Sequence, residues 1–251
     1  MDLRDYLHFV SYSKSLEELW PAHTKQMAQF GFERLIYGCT RFRTEHSLGD
    51  PEDFIILSNH DPEYVKGFVD DGLYFHAPML QWALENEGAE SWSRIGRIMA
   101  SEGLSPQAQR VYDFNARMGV TVGYTISFTS VSARSKGAIS LAAGSDRSQE
   151  DVEAMWKEHG DDILLMNNMA HLKILSLPYS APKRSLTGRQ REALEWVGDG
   201  KTMQDIATIM GLTTPTVEKH LRLARQSLKV DTTAQAVLKA ALHNQMYILQ
   251  A

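Results

Sequence analysis

Apolar residues recur at helical spacing over residues 2–30, where Leu16, Leu19, Trp20, Met27 and Phe30 fall on one side. That period predicts a helical segment with those five in a core. The pattern then changes. Residues 34–43 (RLIYGCTRFR) and 54–59 (FIILSN) are rich in β-branched and aromatic side chains, with a polar Gly/Asp/Pro loop between them. They predict two strands. Residues 61–70 and 78–87 return to a helical pattern, and 106–118 predict a helix with Pro106 in its first turn. Residues 120–129 (VTVGYTISFT) and 137–143 (GAISLAA) predict strands, and 147–176 a long amphipathic helix. Helices on either side of a run of strands predict an α+β domain, an α/β/α sandwich around an antiparallel sheet.

The segment 177–185, with two prolines and small polar residues, reads as a linker. It divides a domain over 1–176 from one over 186–251. The second predicts four short helices and no strand. Thr187 caps the first, which runs through Arg191, Leu194 and Val197 to Gly198 and Gly200. Thr202 opens the second, with Ile206, Ala207 and Met210 inward. Gly211 begins a turn, and Pro215 lies in the first turn of the third, whose Val217, Leu221 and Ala224 face inward. Thr232 or Thr233 opens the fourth, with Ala236, Val237, Ala240 and Ala241 inward. Two short helices joined by a Gly-containing turn, the second one basic, make a helix-turn-helix.

Charge supports that reading. The chain of 251 residues has a net charge of −5, but residues 183–251 hold ten Lys+Arg against six Asp+Glu, a balance of +4. Residues 1–182 hold sixteen against twenty-five, a balance of −9. A basic module on an acidic body suits a polyanion partner. On the third helix Glu218, Lys219, Arg222 and Arg225 stay on the polar side, as side chains must that meet base edges and phosphates in a major groove.

Other classes are disfavoured. No apolar run approaches the ~18 residues of a membrane span, and the N-terminus carries charges throughout, unlike a signal peptide. Cys39 is the single cysteine, which fits a cytoplasmic protein. No metal-spaced His/Cys cluster, phosphate loop or nucleophile elbow occurs, so no enzyme activity and no cofactor are expected. His60-Asp61 and Asp70-Asp71 are isolated pairs that read as solvated surface side chains.

The C-terminal string resembles the LuxR-type helix-turn-helix along its whole length. The matching positions are Leu186-Thr187, Arg189, Glu192, Leu194, Gly200, Thr202, Ile206-Ala207, Thr216-Val217, His220, Leu228 and Val230. The resemblance implies DNA contacts from Glu218, Lys219 and Arg222. Arg225, Lys201 and Thr202 are further DNA-binding candidates, and His220 is expected to pack rather than read bases. Leu223, Ser227 and Thr233 stand where the family often has Asn, Lys and Arg.

The N-terminal half resembles the autoinducer-binding domain of quorum-sensing LuxR proteins, with a divergent pocket. That family shows Trp-x3-Tyr, Asp-Pro nine residues after the Tyr, and Trp fifteen after the Asp. Those positions fall here on Tyr64, Phe68, Ala77-Pro78 and Trp92. The Gly119-x3-Gly123 pair and the strand ending at Ser140 also match. The resemblance implies an apolar cavity between the sheet and a helical layer, where polar groups orient an N-acyl-homoserine lactone. Trp92 would donate to the lactone carbonyl and Ser140 would bond the acyl-chain carbonyl. Phe68 replaces a hydroxyl-bearing Tyr, and Tyr64 replaces a packing Trp.

Ala77 stands where the family Asp accepts the ligand's amide N–H. Leaving that N–H unpaired would cost roughly 1–3 kcal/mol. Three explanations stay open: a ligand that is not an acyl-homoserine lactone; another acceptor, His76, Asp70 or Asp71; or a domain that folds without ligand. The whole reading is a homodimer that binds a small amphiphilic signal and a pseudo-palindromic operator in double-stranded DNA. RNA polymerase is a further candidate partner. A ligand-independent DNA-binding dimer is the alternative.

Overall fold

The computed structural model describes residues 1–179 and 184–248. Of the expected linker, residues 180–183 lie outside the described residues. The chain forms two compact units. The first comprises Met1–Gly49 with Phe54–Leu175, and the second Asp50–Asp53 with Ser176–Ala251.

In the first unit, the helical period over 2–30 becomes two helices, α1 (Leu3–Tyr12) and α2 (Leu16–Ala28). Ser13 ends α1 in extended backbone, and the Ser15 hydroxyl accepts from Glu18 N at 3.2 Å to start α2. Serines compete locally with helical hydrogen bonds, so two of them break the run. Leu16, Leu19, Trp20 and Met27 are buried, while Phe30 is half-buried beyond the end of α2.

Strands β1 (Phe32–Thr40), β2 (Ile55–Ser58), β3 (Gly88–Ser91), β4 (Gly123–Ser127) and β5 (Lys136–Ala143) form one antiparallel sheet in the order β2-β1-β5-β4-β3. β1 ends three residues before the expected Arg43. Thr40 stops it: its hydroxyl donates to Leu48 O at 2.8 Å and accepts from Phe42 N at 3.1 Å, which turns the chain away. β3 was not predicted, because its four half-buried, mostly polar or small residues show no alternation.

Between strands run α3 (Pro62–Val65), α4 (Pro78–Glu85), α5 (Ser93–Ser101) and α6 (Pro106–Arg117). The helix expected over 61–70 is only one α-turn, continued by a π-helical turn at Lys66–Asp70. α7 (Gln149–Ser176) covers one face of the sheet. Trp156 of α7 stacks on Tyr124 at 3.9 Å, and His171 stacks on Phe128 at 4.1 Å. The sandwich expected from the pattern is the observed architecture. No helix among the described residues is long and apolar enough to cross a membrane.

The second unit packs α8 (Gly188–Gly198), α9 (Met203–Met210), α10 (Thr214–Leu228) and α11 (Thr233–Leu242) around Leu194, Ile206, Val217, Leu221, Leu228, Ala236 and Ala240. Thr187, Thr202 and Thr232 each close a reciprocal capping box, satisfying helix-start N–H groups. Gly211 ends α9 at φ +66°, a left-handed conformation that glycine adopts freely. Ala241, expected inside, is exposed; buried Lys239 takes that face instead. Lys239 Nζ donates to Leu228 O at 2.9 Å and pairs with Asp53 at 2.7 Å. Arg184, 1% exposed, pairs with Asp50 at 2.6 Å and Glu52 at 3.1 Å. Paired charges of this kind tolerate burial.

Candidate ligand cavity and DNA-reading helix

β5 reads Gly137-Ala-Ile-Ser-Leu-Ala-Ala143, and its pleat sends these residues alternately to opposite faces. Ile139 and Leu141, 2% and 0% exposed, fill the side away from the cavity. Ala138 and Ser140 line the other side, beside Thr125 of β4 and Gly38 of β1. Small side chains there leave a space that larger ones would fill. The result is a cavity of about 340 Å³, walled largely by apolar side chains, a size usual for small-molecule sites.

All five residues picked out by the resemblance lie on this wall: Tyr64, Phe68, Ala77, Trp92 and Ser140. Their local contacts differ from expectation. Trp92 Nε1 donates to Thr125 Oγ1 at 2.9 Å, and Thr125 Oγ1 is 3.3 Å from Ser140 Oγ. These three residues form a chain of hydrogen bonds along the wall. Tyr64, 3% exposed, donates to Asn115 Oδ1 at 3.2 Å. Its ring stacks on Phe68 at 5.2 Å, the π-turn carrying Phe68 into place.

Ala77 is buried at the start of α4, just before Pro78. The acceptors considered as substitutes, His76, Asp70 and Asp71, are all exposed and none lines the cavity. Among the described residues, no Asp or Glu lines it.

Sequence reasoning missed His60. Its place beside Asp61 suggests a solvated side chain, yet the ring is buried, 8% exposed, on the cavity wall. It stacks on Tyr64 with centroids 4.2 Å apart and planes 18° apart. Burial, helped by the Arg34 charge, lowers its pKa to about 4, so the ring is neutral. Tyr74, also on the wall, was missed as well; burial raises its pKa to about 12, so it keeps its proton. An aromatic His60-x3-Tyr64-x3-Phe68 spacing, one side chain per turn, was the available signal.

On the second unit, Pro215 lies in the first turn of α10 and the apolar Val217, Leu221, Ala224 and Leu228 bury one side of it. Glu218, Lys219 and Arg222 are thereby left exposed on the other side. Arg225 is less free than expected: it pairs with Glu218 at 3.1 Å and donates to Thr233 Oγ1 at 2.8 Å. Arg222 reaches Gln226 only at 3.4 Å. Lys201 is exposed, and the Thr202 hydroxyl caps α9 and donates to Asp205 at 2.7 Å. His220 is half-buried.

Two family models match this chain. The autoinducer binding domain covers residues 15–174, and the bacterial regulatory proteins of the luxR family cover 184–240. The chain belongs to the LuxR family. It is a LuxR-type transcription regulator with an autoinducer-binding domain, not an enzyme. Among its relatives, the transcriptional activator AnoR of Acinetobacter nosocomialis is 25% identical over 234 residues, covering 91% of this chain and 92% of that protein. The activator LuxR of Aliivibrio fischeri is 21% identical, covering 78% and 76%. Of solved structures, SdiA in complex with octanoyl-rac-glycerol superposes with a TM-score of 0.54 at 18% identity, covering 96% and 93%. The N-acylhomoserine-lactone-dependent factor CepR2 of Burkholderia cenocepacia gives 0.54 at 17%, covering 69% of this LuxR-type chain and 94% of CepR2. These two likenesses concern the fold.

Proposed function

We propose that this protein is a signal-responsive, cytoplasmic DNA-binding regulator whose N-terminal unit takes up an acyl-chain amphiphile of the quorum-sensing type. The observation that carries the reading is the apolar cavity of about 340 Å³ against the sheet, with Trp92, Thr125 and Ser140 placing polar groups on its wall. An acyl chain suits the apolar part, and a few polar groups fix the head. SdiA carries octanoyl-rac-glycerol and CepR2 depends on an N-acylhomoserine lactone, both acyl amphiphiles.

A ligand that binds only the folded state stabilises it by RT ln(1 + [L]/Kd), a gain that grows with the logarithm of ligand concentration once that exceeds Kd. Two copies, joined through the first unit and its helix α7, present two α10 helices to half-sites about one helical turn apart. Lys219 and Arg222 supply positive charge, and Glu218 can accept from a cytosine amino group.

The test is a thermal melt of full-length protein with acyl-homoserine lactones of graded chain length beside chemically different amphiphiles, followed by operator binding at fixed salt. A rise in melting temperature that depends on chain length, with tighter operator binding, is expected. Folded protein with no shift from any amphiphile would leave the ligand-independent dimer as the reading.

A further inference from the structure

Most polar side chains on the cavity wall already have partners. Trp92, Thr125 and Ser140 bond one another, Tyr64 bonds Asn115, and Lys136 Nζ donates to Asn86 O at 3.0 Å. Two residues differ. Neither ring nitrogen of His60 has a hydrogen-bond partner among the described residues, and neither has the Tyr74 hydroxyl. Both side chains are held by ring contacts, His60 on Tyr64 at 4.2 Å and Tyr74 on Phe75 at 4.1 Å. Stacking fixes the plane in which an imidazole N–H or lone pair must point. Buried polar atoms without partners are uncommon in folded proteins and mark places where a ligand can supply what is missing.

We propose that His60 and Tyr74 read the ligand's head group, and that this head is uncharged and carries an O–H or N–H donor beside an acceptor oxygen. The inference rests on the cavity being the ligand site. A neutral imidazole has one N–H and one lone pair. The lone pair requires a donor from the ligand, while the imidazole N–H and the Tyr74 hydroxyl require acceptors. A carboxylate head offers acceptors only and meets the lone pair only if it or the ring takes up a proton, while burial and the Arg34 charge disfavour the imidazolium. A simple alkyl ester has no proton to give and leaves the lone pair unpaired. The role that the family Asp fills, accepting a hydrogen from the ligand, thus passes from position 77 to His60, with no carboxylate on the wall among the described residues.

The experiment compares four probes with the same acyl chain on purified full-length protein: octanoyl-rac-glycerol, N-octanoyl-homoserine lactone, methyl octanoate and octanoate. Dissociation constants are measured by calorimetry for the wild type, His60→Phe, which keeps the ring stack, and Tyr74→Phe. At least one of the first two probes should bind the wild type about tenfold or more tighter than methyl octanoate and octanoate. Each substitution should weaken that probe by about tenfold and narrow its lead over the methyl ester. If His60→Phe does not fold, Tyr74→Phe decides. A wild type that holds the methyl ester as tightly as the donor-bearing probes overturns the inference but keeps the sensor reading. So does unchanged affinity in the folded variants. Failure of all four probes to bind the wild type overturns both.

Discussion

Trp92 shows how a single side chain can serve packing and polarity together. It is 8% exposed, and its N–H is spent on Thr125 rather than held ready for a ligand. Trp92→Phe keeps most of the packing and leaves Thr125 without that donor, so a stability loss of about 1 kcal/mol is expected in denaturant unfolding. If ligand affinity also stayed the same, the lactone contact implied for Trp92 would be wrong. The sequence held Tyr64, Phe68, Ala77, Trp92 and Ser140 in readable form, because a spacing pattern ties them together. It hid His60, since a histidine next to an aspartate looks solvated until the stack on Tyr64 is seen. It also could not say that Arg225 is claimed by Glu218, two turns back on α10, and by Thr233, because the second contact depends on how α10 and α11 lie together.

At the scale of elements, period decided what could be read. Long amphipathic stretches such as α6, α7 and α10 are visible as patterns, whereas β3 has four half-buried residues, too few to show one. Gly123 of β4 lies against the β5 backbone: a Cβ there would lie 2.1 Å from Leu141 O. Backbone oxygen cannot move aside as a side-chain tip can, so Gly123→Ala should cost about 3 kcal/mol or more, read as a lowered denaturation midpoint. On α10, Lys219→Ala and Arg222→Ala should each weaken operator binding. Loss of a phosphate contact lowers the salt-dependence slope by about 0.9, whereas loss of a base contact relaxes preference at one base pair by about 1–3 kcal/mol. An Arg222→Ala protein with unchanged slope, affinity and preference would remove Arg222 from the interface.

For the whole molecule, three of the buried histidines contribute to the response to acid. His23, His60 and His171 lie near 4 instead of the ordinary 6.5, chiefly because burial disfavours the imidazolium. Below pH 6.5 the unfolded chain takes up protons that the folded chain refuses. Stability therefore falls as pH drops from 6.5 towards about 4, and beneath that both states are protonated and the histidine contribution levels off. Melting temperatures across that window should decline; a rise on acidification would contradict the burial of these rings. The cavity of about 340 Å³ makes volume a variable too. Unfolding eliminates internal void, so hydrostatic pressure favours the unfolded chain. A ligand that fills the space removes that advantage. Two ligands of equal affinity but different bulk should then protect the protein to different pressures, so compression would rank them by how well they fit.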